Sequence, residues 1–118
     1  MNLWEDNMET KVEQIARERK SLIERVKVGQ AIERLRKNKD FRLVIEDFFF
    51  TENCARQTRN SISPALPQEA REHAIGEAQA AGWLEGWLIA QTRMAKAAAD
   101  SLVHLDDMED ELFQGDDE

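Results

Sequence analysis

The stretch AAGWLEGWLIA, residues 80–90, decides how this chain folds, because it sets two glycines and two tryptophans inside a segment that is otherwise strongly helical. Glycine costs a helix interior about 1 kcal/mol relative to alanine, so two glycines within five residues need a structural reason. The stretch is not a membrane span, because Glu85 interrupts it and a span needs ~20 apolar residues. Close packing against another helix is the favoured interpretation, and a ligand or peptide groove is the alternative.

Helical spacing makes the two glycines part of a longer row of small residues. The row advances in four-residue steps through Ala74, Ala78, Gly82, Gly86 and Ala90. Small side chains at this spacing let the backbone of a second helix approach closely. A bulky row stands beside it, since the two tryptophans are also four residues apart. We therefore predict an interaction surface, whose opposing helix belongs to this chain or to another, made of Ala78, Gly82, Trp83, Gly86, Trp87 and Ala90.

The hydrophobic pattern of the whole chain predicts an all-α fold. Residues 9–36 and 67–104 are expected to form two long antiparallel helices, with the row of small residues at their contact. Residues 40–52 lie between them and predict a short aromatic helix. Its apolar side chains recur at helical spacing and are expected to form the heart of the core; they are Phe41, Val44, Ile45, Phe48 and Phe49.

The first long helix carries only a narrow apolar stripe, formed by Val12, Ile15, Leu22 and Val26, while the rest of its surface is charged. Such a stripe is typical of a coiled-coil seam. We predict that it extends past the compact part of the protein and pairs with another chain, which would make the protein a homo-oligomer. Gly29 is expected to loosen or break this helix.

Charge is divided unevenly along the chain, whose net charge is −8. Residues 106–118 carry eight acidic residues and no Lys or Arg, whereas residues 11–42 carry eleven basic residues against five acidic ones. The division predicts an N-terminal extension at 1–8, a single helical domain at 9–105 and a disordered acidic tail at 106–118. The basic stretch also allows a weak contact with the phosphates of a nucleic acid.

Motifs of the common enzyme classes are missing: the chain has no glycine-rich phosphate loop, no GxSxG and no HExxH. Glu69, His73 and Glu77 share one helical face at a spacing that suits a metal, but such triples are more often solvated. The lone Cys54 has no flanking motif for a nucleophile. We therefore predict a non-enzymatic protein with no catalytic, cofactor-binding or metal-binding residues.

Two segments of the chain resemble a group of small helical proteins from tailed bacteriophages. In AIERLRKNKDFRLVIEDFFFTENCARQ, residues 31–57, the matching positions are Asn38, Asp40, Phe41 and Phe50. In LPQEAREHAIGEAQAAGWLEGWL, residues 66–88, they are Leu66, Pro67, Glu69, Ala70 and Arg71. The resemblance implies a structural or assembly role in the host cytoplasm or the virion. It also implies protein partners, either virion components or further copies of the chain. Because no apolar run approaches the length of a span, we expect no contact with a membrane.

A second functional hypothesis stays open beside the assembly role. A small acidic regulatory or host-takeover protein would use residues 106–118 to bind a basic host factor. Deletion of those residues is expected to abolish binding in that case, and to change little if the protein acts in assembly.

Overall fold

A computed structural model of the chain describes residues 3–114, apart from the side chains of residues 3–6, 8 and 9. The described backbone is helical except at Asn38 and at residues 62–67, so the predicted all-α class is confirmed. The elements are α1 (Leu3–Lys37), α2 (Lys39–Phe41), a π-helix (Arg42–Asn53), α3 (Cys54–Ser61) and α4 (Gln68–Gln114). The two predicted long helices are therefore present, and both are longer than expected.

The chain forms two compact units. The terminal unit combines the described residues of Met1–Gln30 and Gln91–Glu118, and the central unit consists of residues 31–90. Each unit has its own small set of buried apolar side chains. In the terminal unit they are Ile15, Ala95, Ala98 and Leu105, and in the central unit they are Ile32, Ala74, Ala81 and Leu88.

In the terminal unit, α1 and α4 run antiparallel. Gly29 lies against Ala95, and Arg19 lies ten residues earlier on α1 and contacts Asp106, eleven residues later on α4. The packed positions recur every seven residues, which is the repeat of coiled-coil packing. They are buried or half-buried and comprise Ile15, Leu22 and Gly29 on α1 and Ala98, Leu105 and Leu112 on α4.

Gly29 does not break α1, so the prediction made for it is wrong. A Cβ atom added there would lie 2.1 Å from the Cβ of Ala95, far inside van der Waals contact. The absent side chain is what lets the two helices approach at this point. The helical cost of glycine is offset by close packing, and that packing involves a different glycine from the two in residues 80–90.

The acidic C-terminal segment is helical as far as the structure describes it, because α4 continues through Gln114. The prediction of a disordered tail is therefore wrong for residues 106–114, and residues 115–118 lie outside the described part of the chain. The seven-residue repeat explains the longer helix, since Leu105 is buried and Leu112 half-buried. Arg19 supplies a cation to the same segment by pairing with Asp106 and Glu109.

The aromatic segment forms a π-helix that follows α2 and continues into α3, instead of a short separate α-helix. Hydrogen bonds in a π-helix join residues five apart, so each turn is wider than in an α-helix. Phe41, Ile45 and Phe49 are half-buried, whereas the wider turn leaves Val44 and Phe48 facing solvent. Val44 is 57% exposed and Phe48 is 48% exposed, and no residue of this helix is fully buried. The prediction that Phe41, Val44, Ile45, Phe48 and Phe49 form the heart of the core is wrong.

Candidate interaction surface

The exposed side of α4 in the central unit carries the two tryptophans of residues 80–90. Trp83 is 70% exposed and Trp87 is 42% exposed. A Cβ atom added to Gly82 or to Gly86 would meet nothing within 4 Å. This part of the helix therefore presents large apolar side chains and bare backbone to solvent.

The row of small residues does not stay on one side of α4. Ala74 is buried, Ala78 is half-buried, and Gly82, Gly86 and Ala90 are exposed. Because an α-helix has 3.6 residues per turn, each four-residue step rotates the row by about 40°. The expectation that this row lies at the contact between the two long helices is thus wrong for its glycines.

The buried side of α4 follows a seven-residue repeat in the central unit, through Ala74, Ala81 and Leu88. The opposite side is also free of charge between residues 76 and 90. Its exposed members are Gly76, Gln79, Ala80, Gly82, Trp83, Gly86, Trp87 and Ala90, and the exposed Glu85 lies at its border. A helix that is apolar on both sides is normally buried on both, so the outward side has the composition of a contact surface. We call residues 76–90 on this side the outer face of α4.

The apolar stripe on α1 already has a packing partner in its own chain. Ile15 is 8% exposed, and Leu22 and Val26 are half-buried, whereas Val12 remains exposed. A cavity of about 60 Å³ lies at this end of the terminal unit, lined by Val12, Ile15, Ala16, Arg19, Glu109, Leu112 and Phe113. The stripe therefore does not require another chain to cover its apolar side chains.

Arg19 forms the main polar contact of the terminal unit. Its Nη2 atom lies 2.8 Å from Oδ1 of Asp106 and also donates a hydrogen bond to Oε2 of Glu109. The hydrogen bond to Glu109 is the largest cause that raises the pKa of Arg19, followed by the bond to Asp106. The contact joins residues almost ninety positions apart, so no local sequence pattern signals it.

Glu77 forms the main polar contact of the central unit. Its carboxylate accepts hydrogen bonds from Nδ2 of Asn53, at 3.2 Å, and from Nε2 of Gln57. These bonds lower the pKa of Glu77, the bond from Asn53 most strongly, and His73 contributes with its Nε2 atom 3.3 Å away. The Sγ atom of Cys54 contacts the carbonyl oxygen of Ala78, the residue after Glu77, at 3.8 Å. The network therefore joins the end of the π-helix and α3 to α4.

The described residues contain no group of three or more His, Cys, Asp or Glu side chains placed to hold a metal. They also contain no helix with a stretch long and apolar enough to cross a bilayer. No protein-family model, curated protein or solved structure matches this chain.

Proposed function

We propose that this chain is a non-enzymatic assembly protein that joins protein partners through helical contacts on the outer face of α4. One observation carries the proposal: Trp83 is 70% exposed beside two glycines whose missing side chains leave open space. Tryptophan buries a large apolar area in a protein contact and is enriched among the residues that dominate binding energy.

The chemistry of the outer face favours a protein partner over other ligands. Small-molecule sites are concave and bring several polar groups together, whereas this face is one side of a helix. Binding to nucleic acid or to anionic lipid relies on Lys and Arg, and residues 74–90 contain neither. A second helix laid along the face would cover the indoles and reach the glycine backbone.

Photo-crosslinking at the outer face tests this proposal. A photoreactive phenylalanine analogue replaces Trp83 in one variant and Ile62 in a control, because Ile62 is also exposed in the central unit. We expect protein crosslinks from position 83 and few from position 62. Equal crosslinking from both positions would contradict the proposal.

We further propose that the assembly in question is a tailed-bacteriophage virion. The support is the resemblance of residues 31–57 and 66–88 to small phage proteins. Mass spectrometry of purified virions, or of assembly intermediates, tests it directly. Absence of the chain from both would remove the phage assignment and would leave the proposed helical contacts to be judged by crosslinking.

The alternative function is regulation through the acidic end of α4. Asp107, Asp110 and Glu111 are exposed and available to a basic partner. Deletion of residues 106–118 is a poor test, because it also removes both partners of Arg19. Neutralising the three exposed acids to Asn, Asn and Gln keeps those contacts. Loss of partner binding in this variant would favour regulation, and unchanged binding would favour assembly.

A further inference from the structure

We infer that the partner seated on the outer face of α4 is a second copy of this chain, in a weak two-fold dimer. The inference rests on the proposed function and names the occupant of the same face.

The surface shape of the outer face is complementary to itself. Trp83 and Trp87 are four residues apart and form a ridge, and Gly82 and Gly86 form a shallow groove directly beside it. Helices pack by placing the ridges of one into the grooves of the other, most often along such four-residue rows. One chain carries both halves of this contact. A two-fold axis, which presents the same patch twice, supplies a ridge for each groove.

The charges of the molecule also fit a second copy. Residues 106–118 carry the whole net charge of −8, because the rest of the chain is neutral on balance, so two copies repel each other most strongly through the acidic end of α4. The outer face itself belongs to the central unit and carries no charged side chain, and the exposed Glu85 lies at its border beside Gly86. Two copies can therefore meet there without bringing like charges into direct contact. A strongly charged partner finds no complementary group on the face.

The area of the face sets the strength of the dimer. Residues 76–90 span about 21 Å of helix, and a helix is about 10 Å wide. One helix pair over this length buries a few hundred Å² per copy, of which the exposed indoles supply roughly 250 Å². Stable complexes bury about 800 Å² per partner. The dimer is therefore weak and depends on protein concentration, as suits reversible addition during assembly.

Sedimentation equilibrium from about 1 µM to about 500 µM tests the inference on the full chain. The wild type is expected to pass from monomer to dimer within this range. Trp83→Ala removes the ridge and Gly86→Leu fills the groove, so each is expected to weaken dimerisation at least tenfold. Ile62→Ala, which shortens an exposed apolar side chain of the central unit away from residues 76–90, is expected to dimerise like the wild type.

Folding is controlled separately in these variants. Trp83 is largely exposed, and a Cβ atom added at position 86 meets no neighbouring atom within 4 Å. Helical circular dichroism and the melting temperature should therefore not fall in either variant. If both variants are folded and dimerise as strongly as the wild type, the inference is overturned.

Crosslinks from the photoreactive residue at position 83 identify the partner. Covalent dimers whose joined peptides both come from residues 76–90 support the inference. A wild type that stays monomeric at about 500 µM overturns it. Crosslinks only to a different protein would also overturn the inference, although they would support the proposed function. Failure of the proposed function is distinguished by equal crosslinking from positions 83 and 62.

Discussion

Gly29 and Gly86 both lie inside long, unbroken helices, but they differ in the atoms that a side chain at each position would contact. A Cβ atom at Gly29 would strike the Cβ of Ala95 at 2.1 Å, whereas a Cβ atom at Gly86 would meet nothing within 4 Å. Gly29 belongs to the seven-residue repeat that packs the terminal unit. Gly86 belongs to a four-residue row that rotates away from the buried side of α4. A glycine is therefore covered when its position falls in the seven-residue repeat of packed positions.

The largest expected effect comes from filling the covered site. Gly29→Ala should lower the free energy of unfolding by about 2 kcal/mol, because overpacking outweighs the gain in helix propensity. Urea denaturation measures this change. Ala95→Gly removes the Cβ atom that the new side chain at position 29 would overlap. The double variant Gly29→Ala/Ala95→Gly should therefore recover most of the lost stability. A purely additive double variant would show that the contact with Ala95 does not determine the effect.

At Gly86, where the space above the backbone is open, the free energy of unfolding should change in the opposite direction. Gly86→Ala should raise the free energy of unfolding by about 0.5–1 kcal/mol, because alanine favours the helix and meets no neighbour. The same denaturation experiment applies, at a concentration where the protein is monomeric. A loss of stability similar to that of Gly29→Ala would mean that the chain itself covers the outer face.

A smaller and local effect is expected at the polar contact of the terminal unit. Arg19→Gln leaves Asp106 and Glu109 without their cation, so hydrogen exchange at residues 106–114 should become faster. Lys20→Gln is the matched control, because it removes the same charge from the exposed neighbouring position. Equal acceleration in both variants would assign the effect to net charge instead of to the contact.

The smallest effect is expected at the polar contact of the central unit and concerns pH. The lowered pKa of Glu77 stabilises the fold above the ordinary value of 4.5, and this stabilisation is lost as pH falls through the pKa of the folded state. Glu77→Gln should therefore reduce the pH dependence of urea denaturation below about 4.5. Glu72→Gln, at an exposed position one turn away, should keep it.

Sequence patterns predicted the elements that depend on local periodicity. The all-α class, the two long helices and the break before residue 68 follow from helical spacing and from two prolines. The π-helix was not predictable in this way, because its hydrogen-bond pattern leaves no spacing signature in a stretch rich in phenylalanine. The continuation of α4 to Gln114 was missed for a related reason. Its support comes from Arg19 and the seven-residue repeat, whereas the composition is that of a disordered tail.

The surroundings of the candidate contact residues could not be predicted from the sequence. The sequence predicts an interaction surface that includes Trp83 and Gly86, but it also places the row of small residues at the contact between the two long helices. The rotation of a four-residue row was enough to argue against that expectation. Gly29 was treated as a helix breaker, since only a three-dimensional register reveals that Ala95 lies opposite it.

Hydroxyl-radical footprinting of Trp83 in dilute and concentrated protein shows whether the outer face is open and whether a second copy covers it. At about 1 µM we expect rapid oxidation of Trp83, because its own chain leaves it exposed, and at about 500 µM we expect oxidation several-fold slower. Ile62 should oxidise at the same rate in both samples. Protection of Trp83 already in the dilute protein would contradict an open outer face, and equal oxidation at both concentrations would contradict its use by a second copy.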